Sequence, residues 1–261
     1  MLTDDKDKDK VLFLLGGHDL EMMTIRNILQ SHHYLYSDKQ LRWDNALLSH
    51  YQQEIGSFLV QNPEGHIIGI ELENDLQTVM PHYLAIDHHN DNDNLPCALE
   101  QILNLLQIPT SRQYQLIAAN DSHYIPGMLA LKATREEINA IRLADRQAQG
   151  VTQEEESMAE KAIAENLKQV GDLIIVQALS SCFSPICDRL FPYHSLLIYT
   201  DKEWVYYGQR ISQIQNLFQE DYSQGKLFRG GGPNGYIGIK KGIYSSKQIS
   251  EFIKQIEHEF I

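Results

Sequence analysis

Short apolar runs alternate with amphipathic segments along the first two thirds of the chain. The run Val11–Gly17 ends in two glycines, which predicts a buried strand that stops at a turn, and Leu20–Leu29 follows with helical spacing. Further strands are predicted at His33–Tyr36, His66–Leu72 and Tyr83–Ile86, whereas Ile55–Val60 fits a strand or a helix. Further helices are predicted at Trp43–Tyr51, Cys97–Gln107, Arg112–Asn120, Thr134–Gln149 and Glu154–Val170, although the apolar centre QLIAA of Arg112–Asn120 could equally form a strand. This alternation favours an α/β fold with a doubly wound, mostly parallel sheet.

The pattern changes near Gly171, where we place a domain boundary. Beyond it, strands are predicted at Asp172–Leu179, Ser195–Tyr199 and Trp204–Gly208, and a last helix runs from Ser246 to the end. The expected organisation is a domain over 11–170 and a smaller α/β domain over 171–261. Residues 1–10 are mainly alternating Asp and Lys, which predicts a disordered tail.

Composition narrows the class of protein. The 261 residues are 43% hydrophobic, so a packed core is expected, and the net charge of −13 argues against binding of long nucleic acid. No apolar stretch approaches the roughly 18–20 residues that a membrane helix needs, and no secretory leader is visible. Three cysteines without metal-site spacing fit a reducing compartment, so we expect a cytoplasmic protein that does not contact a membrane.

Polar residues cluster where three predicted strands end. His18 and Asp19 follow the first strand, Glu71 and Glu73 follow the HIIGIEL strand, and Asp87-His88-His89 follows YLAI. Because ligands bind at the carboxyl ends of strands in such sheets, these side chains are candidates for an active site. Adjacent histidines and an aspartate can supply a metal ligand, a residue that orients it and a substrate contact.

The same stretches resemble, in order, four motifs of the DHH phosphoesterase superfamily. IDHHNDNDNLPCALEQILNLL resembles the motif in which DHH is followed by a helix that carries an acid, here Glu100. LLGGHDLEM, with His18, Asp19 and Glu21, takes the place of the first motif, and GIELEND that of the second. Asp121-Ser122 matches the fourth.

A glycine-rich stretch near the C-terminus resembles the substrate-binding loop of the DHHA1-type domain that is usually paired with DHH. It reads FRGGGPNGYIG from Phe228 to Gly238, and no acid occurs from Tyr222 to Ser250 although five lysines and arginines do. Glycines let backbone N–H groups approach phosphate oxygens closely, and a basic island in an acidic chain suggests an anion site. A tight turn on a solvated face is the alternative interpretation.

The resemblance implies a phosphoesterase that depends on two metal ions, either Mn²⁺ or Mg²⁺. The two ions would lower the pKa of a bridging water. The metal ligands it implies are His18, Asp19, Glu71, His88 and Asp121, with Asp87 orienting its neighbours and His89 contacting the phosphate or protonating the leaving group. Arg229 and the loop Gly230, Gly231, Gly232 would hold the far end of a small phosphorylated substrate, such as a short oligonucleotide, cyclic dinucleotide or nucleotide derivative. A homodimer is compatible with the sequence.

The motifs also depart from the family pattern. The first is compressed, the second carries glutamate where the family has aspartate, and Pro233 stands where the family has a substrate-contacting histidine. These departures support a second hypothesis, a non-catalytic regulatory protein of the same fold that binds a nucleotide or metal.

Overall fold

A computed structural model describes residues 5–76, 82–89, 92, 94–231 and 235–261. The chain divides into two compact units, Met1–Gly150 and Val151–Ile261. The fold class predicted from the sequence is confirmed, because the first unit has a parallel four-stranded sheet with helices and the second an α/β architecture.

The sheet of the first unit has the strand order β2-β1-β3-β4, and every neighbouring pair is parallel. Its strands are β1 (Val11–Leu15), β2 (Leu35–Asp38), β3 (His66–Ile70) and β4 (Tyr83–Ile86). Its helices are α1 (Leu20–Ser31), α2 (Gln52–Gln61), α3 (Ala98–Leu105), α4 (Arg112–Ala130) and α5 (Arg135–Ala148). The segment Ile55–Val60 is therefore helical.

Two predicted elements of this unit differ from the structure. The predicted helix Trp43–Tyr51 is two 3-10 helices, Trp43–Asn45 and Leu48–Tyr51, and the described part of the predicted disordered tail, Asp5–Lys10, is also a 3-10 helix. Tertiary contact explains the second difference, since Lys8 Nζ lies 5.4 Å from the centre of the Tyr34 ring. A cation that packs on an aromatic face orders a segment that composition alone marks as solvated.

The core of the first unit lies against its central strands. Phe13, Leu14, Leu15, Ile67 and Ile70 are almost fully buried. Continuous apolar runs of this kind are typical of a parallel sheet covered on both faces.

The second unit is a six-stranded mixed sheet in the order β5-β6-β7-β8-β10-β9. Its strands are β5 (Leu167–Val170), β6 (Leu173–Gln177), β7 (Ser195–Tyr199), β8 (Trp204–Gly208), β9 (Leu227–Gly230) and β10 (Tyr236–Ile239). Its helices are α6 (Gln153–Asn166), α7 (Ser184–Leu190), α8 (Ile211–Leu217), α9 (Gln219–Ser223) and α10 (Ser246–His258). Neighbouring residues of β7 point into different cores, Leu197 into one and Leu196 into another, so both faces of the sheet are covered.

The boundary between the units lies earlier than the sequence predicts. Residues Leu167–Val170, placed at the end of a helix, form β5 and pair antiparallel with β6. Gly171, where we put the boundary, has φ +57° and lies in the tight turn between these two strands. Ala159 and Ala162 of α6 pack in a core with Val176 of β6. A hairpin glycine and a linker glycine look the same in sequence, so the prediction was wrong by one helix and one strand.

Candidate metal centre

The strand order brings the ends of β1 and β3 together at the edge of the first sheet. Leu15 pairs with Ile70, and Ile70 pairs with Ile86, so the residues that follow these three strands leave the sheet side by side. The order of the sheet reverses at β1, and the carboxyl-end crevice at such a reversal is where ligands of α/β sheets bind. The polar residues that follow the strands therefore lie at the expected place.

Glu71 leaves β3 in a strained backbone conformation. Its φ is +51°, which is uncommon for a residue with a side chain, and its N–H donates to the carbonyl oxygen of Ile86 at 2.8 Å. A Cβ at Gly16 would lie 2.1 Å from the carbonyl oxygen of Glu71, so the chain after β1 needs glycine at this position. Strain of this kind is typical of functional sites, where the surrounding structure holds it in place.

Three side chains from different elements meet in front of this edge. His88 Nε2 lies 3.0 Å from Glu71 Oε1 and 2.9 Å from Asp121 Oδ2, and all three side chains are largely buried. These atoms, and Glu71 Oε2, make no hydrogen bond of good geometry within the described part of the chain. Buried polar atoms are normally paired, so a set of unpaired ligand atoms aimed at one another has the chemistry of a metal site.

Glu21 of α1 completes a four-residue cluster. One ligand atom each from Glu21, Glu71, His88 and Asp121 all lie within 4.8 Å of one another. Glu21 is 1% exposed; its Oε1 accepts the N–H of Leu99 at 2.7 Å, while its Oε2 makes no hydrogen bond of good geometry among the described residues, although the Cys97 thiol also interacts with this carboxylate. Burial raises the pKa of Glu21 well above its ordinary value, and the charges of Asp121 and Glu71 raise it further. A divalent cation would offset this crowding of buried carboxylates.

Asp19 and His18 lie near this cluster but outside the four-residue group. Asp19 is the N-cap of α1, and its Oδ1 accepts the N–H of Met22 at 2.9 Å. Burial raises the pKa of Asp19 to about 7. Asp19 also lines a cleft of about 690 Å³ with Glu71 and Asp121, whereas His18 lines a different cleft of about 670 Å³. The metal-binding roles that we assigned to these two residues remain predictions.

Glu21 belongs to the first sequence motif, but the predicted ligand set does not include it. A usable signal was present, because aspartate directly before an apolar helical pattern is a favoured N-cap. One carboxylate oxygen of a capping aspartate accepts a backbone N–H. The next acid of the segment is therefore the better candidate for a metal ligand. Glu73, the alternative to Glu71, is exposed, and its backbone pairs with that of Ala46 and Leu48.

In the Asp87-His88-His89 segment, the imidazole of His88 is buried and that of His89 is half exposed. Asp87 Oδ1 accepts the N–H of His89 at 2.9 Å, which fits the predicted orienting role of Asp87. His89 Nε2 lies 3.5 Å from Glu71 Oε2, and its side chain is half exposed in the cleft. His88 is therefore buried in the cluster, whereas His89 is half exposed to the cleft.

The charges of these groups are strongly coupled. The contacts with Asp121 and Glu71 raise the pKa of His88 to about 10, against the opposing effect of burial. Burial favours protonation of Glu71, but His88 and His89 outweigh it and lower its pKa. The contact with Glu71 also raises the pKa of His89. Without a metal, a proton on His88 would supply positive charge to these carboxylates.

Asp121 is placed by a kinked helix and a buried arginine. In α4, Tyr124 has φ +57°, and Pro126 lacks the N–H that would continue the helical hydrogen bonds. Arg142 Nη1 donates to Asn120 Oδ1 at 2.9 Å and to Asp145 Oδ2 at 2.7 Å. Its Cζ lies 4.5 Å from the centre of the Tyr124 ring. Arg142 thus holds the residues on both sides of Asp121.

The predicted substrate loop is only partly described. Gly230 ends β9, Gly231 has φ +72°, and Gly232 lies outside the described residues together with Pro233 and Asn234. Arg229 Nη1 donates to Gln215 Oε1 at 2.7 Å. Some of the basic residues nearby pair with acids, since Lys226 lies 3.1 Å from Asp221. An anion at this loop therefore remains a prediction.

Comparison with known proteins gives structural neighbours only. No family model matches the chain, and no curated protein matches it. A pGpG-specific phosphodiesterase, PggH from Vibrio cholerae, is 11% identical with a TM-score of 0.48, covering 96% of this chain and 99% of its own. Exonuclease RecJ bound to manganese is 11% identical with a TM-score of 0.43, covering 96% and 91%. The DHH domain of a member of the s1p family of ribosomal proteins is 9% identical with a TM-score of 0.47, covering 97% and 87%.

The solved structures with similar folds thus include a DHH domain, from the superfamily that the sequence motifs resemble. At this level of similarity the neighbours establish no function for this chain. Any functional argument must therefore come from the side chains of the site. The fold and the site define a two-unit α/β protein with a candidate metal centre of carboxylates and histidine. No helix in the described residues is long and apolar enough to cross a membrane.

Proposed function

We propose that this protein is a metal-dependent phosphoesterase that acts on a small phosphorylated substrate. The observation that carries the proposal is the four-residue cluster of Glu21, Glu71, His88 and Asp121, whose buried ligand atoms include several without a hydrogen-bond partner in the described chain. Three carboxylates and one imidazole suit Mn²⁺ or Mg²⁺. Such ions bound at this site would lower the pKa of a water molecule and stabilise charge on a phosphoryl oxygen.

The residues around the cluster have separate tasks in this proposal. Asp87 fixes the backbone of His89, and His89 stands half exposed in the cleft, where its imidazole can donate a proton to a leaving oxygen. Glu21, Glu71, His88 and Asp121 would hold the metal. His18 and Asp19 stay proposed ligands of a second ion, because Asp19 shares the cleft with Glu71 and Asp121.

The proposed substrate is small. A net charge of −13 disfavours long nucleic acid, whereas a metal centre can bind one phosphate locally. A short oligonucleotide, a cyclic dinucleotide or a nucleotide derivative fits this requirement. The printed function of one neighbour, a phosphodiesterase specific for pGpG, is of this substrate class. A homodimer and a cytoplasmic location remain predictions.

The test is Mn²⁺-dependent hydrolysis of bis-p-nitrophenyl phosphate by the purified protein, measured beside Mn²⁺ binding by calorimetry. We expect His88→Ala and Asp121→Ala to lose both, and the exposed His258→Ala, in the second unit, to keep both. Binding of Mn²⁺ without hydrolysis of this ester or of short nucleotides would favour the non-catalytic hypothesis. Failure of the wild-type protein to bind Mn²⁺ or Mg²⁺ would overturn the metal centre itself.

A further inference from the structure

Trp43 is an exposed indole beside the candidate metal centre. Its side chain is 46% exposed, and among the exposed large apolar side chains of the described residues the only other aromatic is Tyr236. The second tryptophan, Trp204, is fully buried. Burying an indole removes a large apolar area from water and is favourable. An indole left open over a cleft is therefore a surface on which a ligand gains binding energy.

The ring of Trp43 is held in place by two neighbours. A Cβ at Gly17 would lie 2.2–2.3 Å from three indole carbons, so the close approach of the ring requires glycine there. The imidazole of His89 meets the indole edge to face, with ring centres 6.1 Å apart and an interplanar angle of 73°. The indole is thus positioned before a ligand arrives, beside the histidine that we place at the substrate.

The chemistry of the cleft selects the group that would lie on this ring. Trp43 lines the same 690 Å³ cleft as Glu71 and Asp121, and further carboxylates, Asp44 and Glu73, line it as well. Asp44 is paired with Arg42 at 3.2 Å, but the other charged groups that line this cleft, apart from His89, are carboxylates. They favour an uncharged or cationic group over an anion against Trp43. Nucleobases are flat, uncharged and rich in N–H donors that carboxylates accept.

We propose that Trp43 is a stacking platform for the base of a nucleotide whose phosphoryl group lies at Glu71, His88 and Asp121. The placement of the phosphoryl group rests on the proposed function. The placement of the base rests on the exposed indole and on the carboxylates that line the same cleft. The substrate class narrows accordingly to phosphoesters that carry a nucleobase, and esters of plain sugars or alcohols are excluded as good substrates.

The test compares ligands with and without a base. Calorimetric titrations with GMP, AMP and ribose 5-phosphate are made in the presence of Mn²⁺ on the wild type, Trp43→Phe and Trp43→Leu. The wild type should bind the nucleotides more tightly than ribose 5-phosphate, and nucleotides should quench the emission of the exposed tryptophan. Trp43→Leu should weaken nucleotide binding by roughly 5- to 100-fold and leave ribose 5-phosphate unchanged, because stacking is lost. Trp43→Phe keeps a ring and should retain most of the affinity.

Equal nucleotide affinities in the wild type and Trp43→Leu, or no preference of the wild type for nucleotides over ribose 5-phosphate, would overturn the platform. Mn²⁺-dependent hydrolysis of bis-p-nitrophenyl phosphate by the wild type is measured alongside. If the wild type hydrolyses the ester but Trp43→Leu binds nucleotides as tightly as the wild type, the stacking platform is wrong and the proposed phosphoesterase activity is still supported. Calorimetric nucleotide binding that is weakened in Trp43→Leu and retained in Trp43→Phe, without hydrolysis of any ester, supports the platform and counts against the phosphoesterase.

Discussion

Nε2 of His88 lies 2.9 Å from Oδ2 of Asp121, joining the loop after β4 to the middle of α4. Neither atom makes a hydrogen bond of good geometry with a described residue, although both are buried. The pair therefore has two ways to balance its charge, which are a proton on the imidazole or a metal ion that both residues would help to hold.

Metal binding should displace a proton from His88. Its pKa of about 10 in the metal-free protein means that the imidazole is protonated at pH 7 and must lose that proton to bind a cation. We expect Mn²⁺ affinity to rise by up to about tenfold per pH unit above neutrality, with release of about one proton, measured by calorimetry in buffers of different ionisation enthalpy. His88→Gln should release fewer protons, and an unchanged count would contradict the assignment.

The same raised pKa has the opposite effect on the stability of the metal-free protein. A group whose pKa rises from 6.5 to about 10 on folding stabilises the fold fully below pH 6.5. That contribution falls as the pH rises from 6.5 toward 10. Without metal, the melting temperature should therefore decline over this range more in the wild type than in His88→Gln.

Glu21 and Asp19 make a matched pair of acids at the start of α1. Glu21→Gln keeps an oxygen for the N–H of Leu99 but replaces the unpaired oxygen, so it should weaken Mn²⁺ binding at least about tenfold. Asp19→Asn retains a good N-cap and should change the affinity for the ion held by the four-residue cluster by less than about threefold, whatever its effect on a second ion. Calorimetry decides between them. A larger loss in Asp19→Asn would favour the ligand set predicted from the sequence.

Arg142 should matter for stability far more than an exposed arginine in the same unit. Arg142→Met leaves the buried carboxylate of Asp145 without this partner, at a cost of about 3–5 kcal/mol in the free energy of unfolding. Arg112 pairs with Glu137 at the surface, where solvent screens the pair, so Arg112→Met should lower the free energy of unfolding far less than Arg142→Met. Urea titrations measure both. Similar losses in the two variants would refute a special role for Arg142.

Gly16 and Gly56 provide a contrast between a crowded and an open glycine. Gly16→Ala places a methyl group 2.1 Å from the carbonyl oxygen of Glu71, so it should displace Glu71 and reduce both stability and Mn²⁺ affinity. A Cβ at Gly56, within α2, meets nothing within 4 Å, and Gly56→Ala should stabilise the protein by about 0.5–1 kcal/mol. Thermal melts with and without Mn²⁺ measure both effects. Retained metal affinity in Gly16→Ala would show that Glu71 tolerates the shift.

The sequence by itself determined the class of fold and the edge of the sheet that carries the site. Apolar runs such as Val11–Leu15 must be buried, their alternation with helices leads to a parallel sheet, and polar residues that follow such strands meet at one edge. For this reason the sequence could place Glu71 and His88 at the same edge, where their side chains lie 3.0 Å apart. Capping signals were readable too, since Thr134 and Glu137 form the capping box that their spacing predicts.

Only the tertiary structure decided which acids converge and where the chain divides. Glu21 and Asp19 are two residues apart, and the direction in which each points depends on how α1 packs against the N-terminus of α3, which is a long-range contact. The same holds for Gly171, whose role as a hairpin turn depends on the pairing of β5 with β6. Trp43 meets His89 across 46 positions of sequence, and no local pattern predicts such a contact. Features that depend on residues close together in the sequence can be predicted from local chemistry. Features that depend on contacts between distant residues are decided only by tertiary packing.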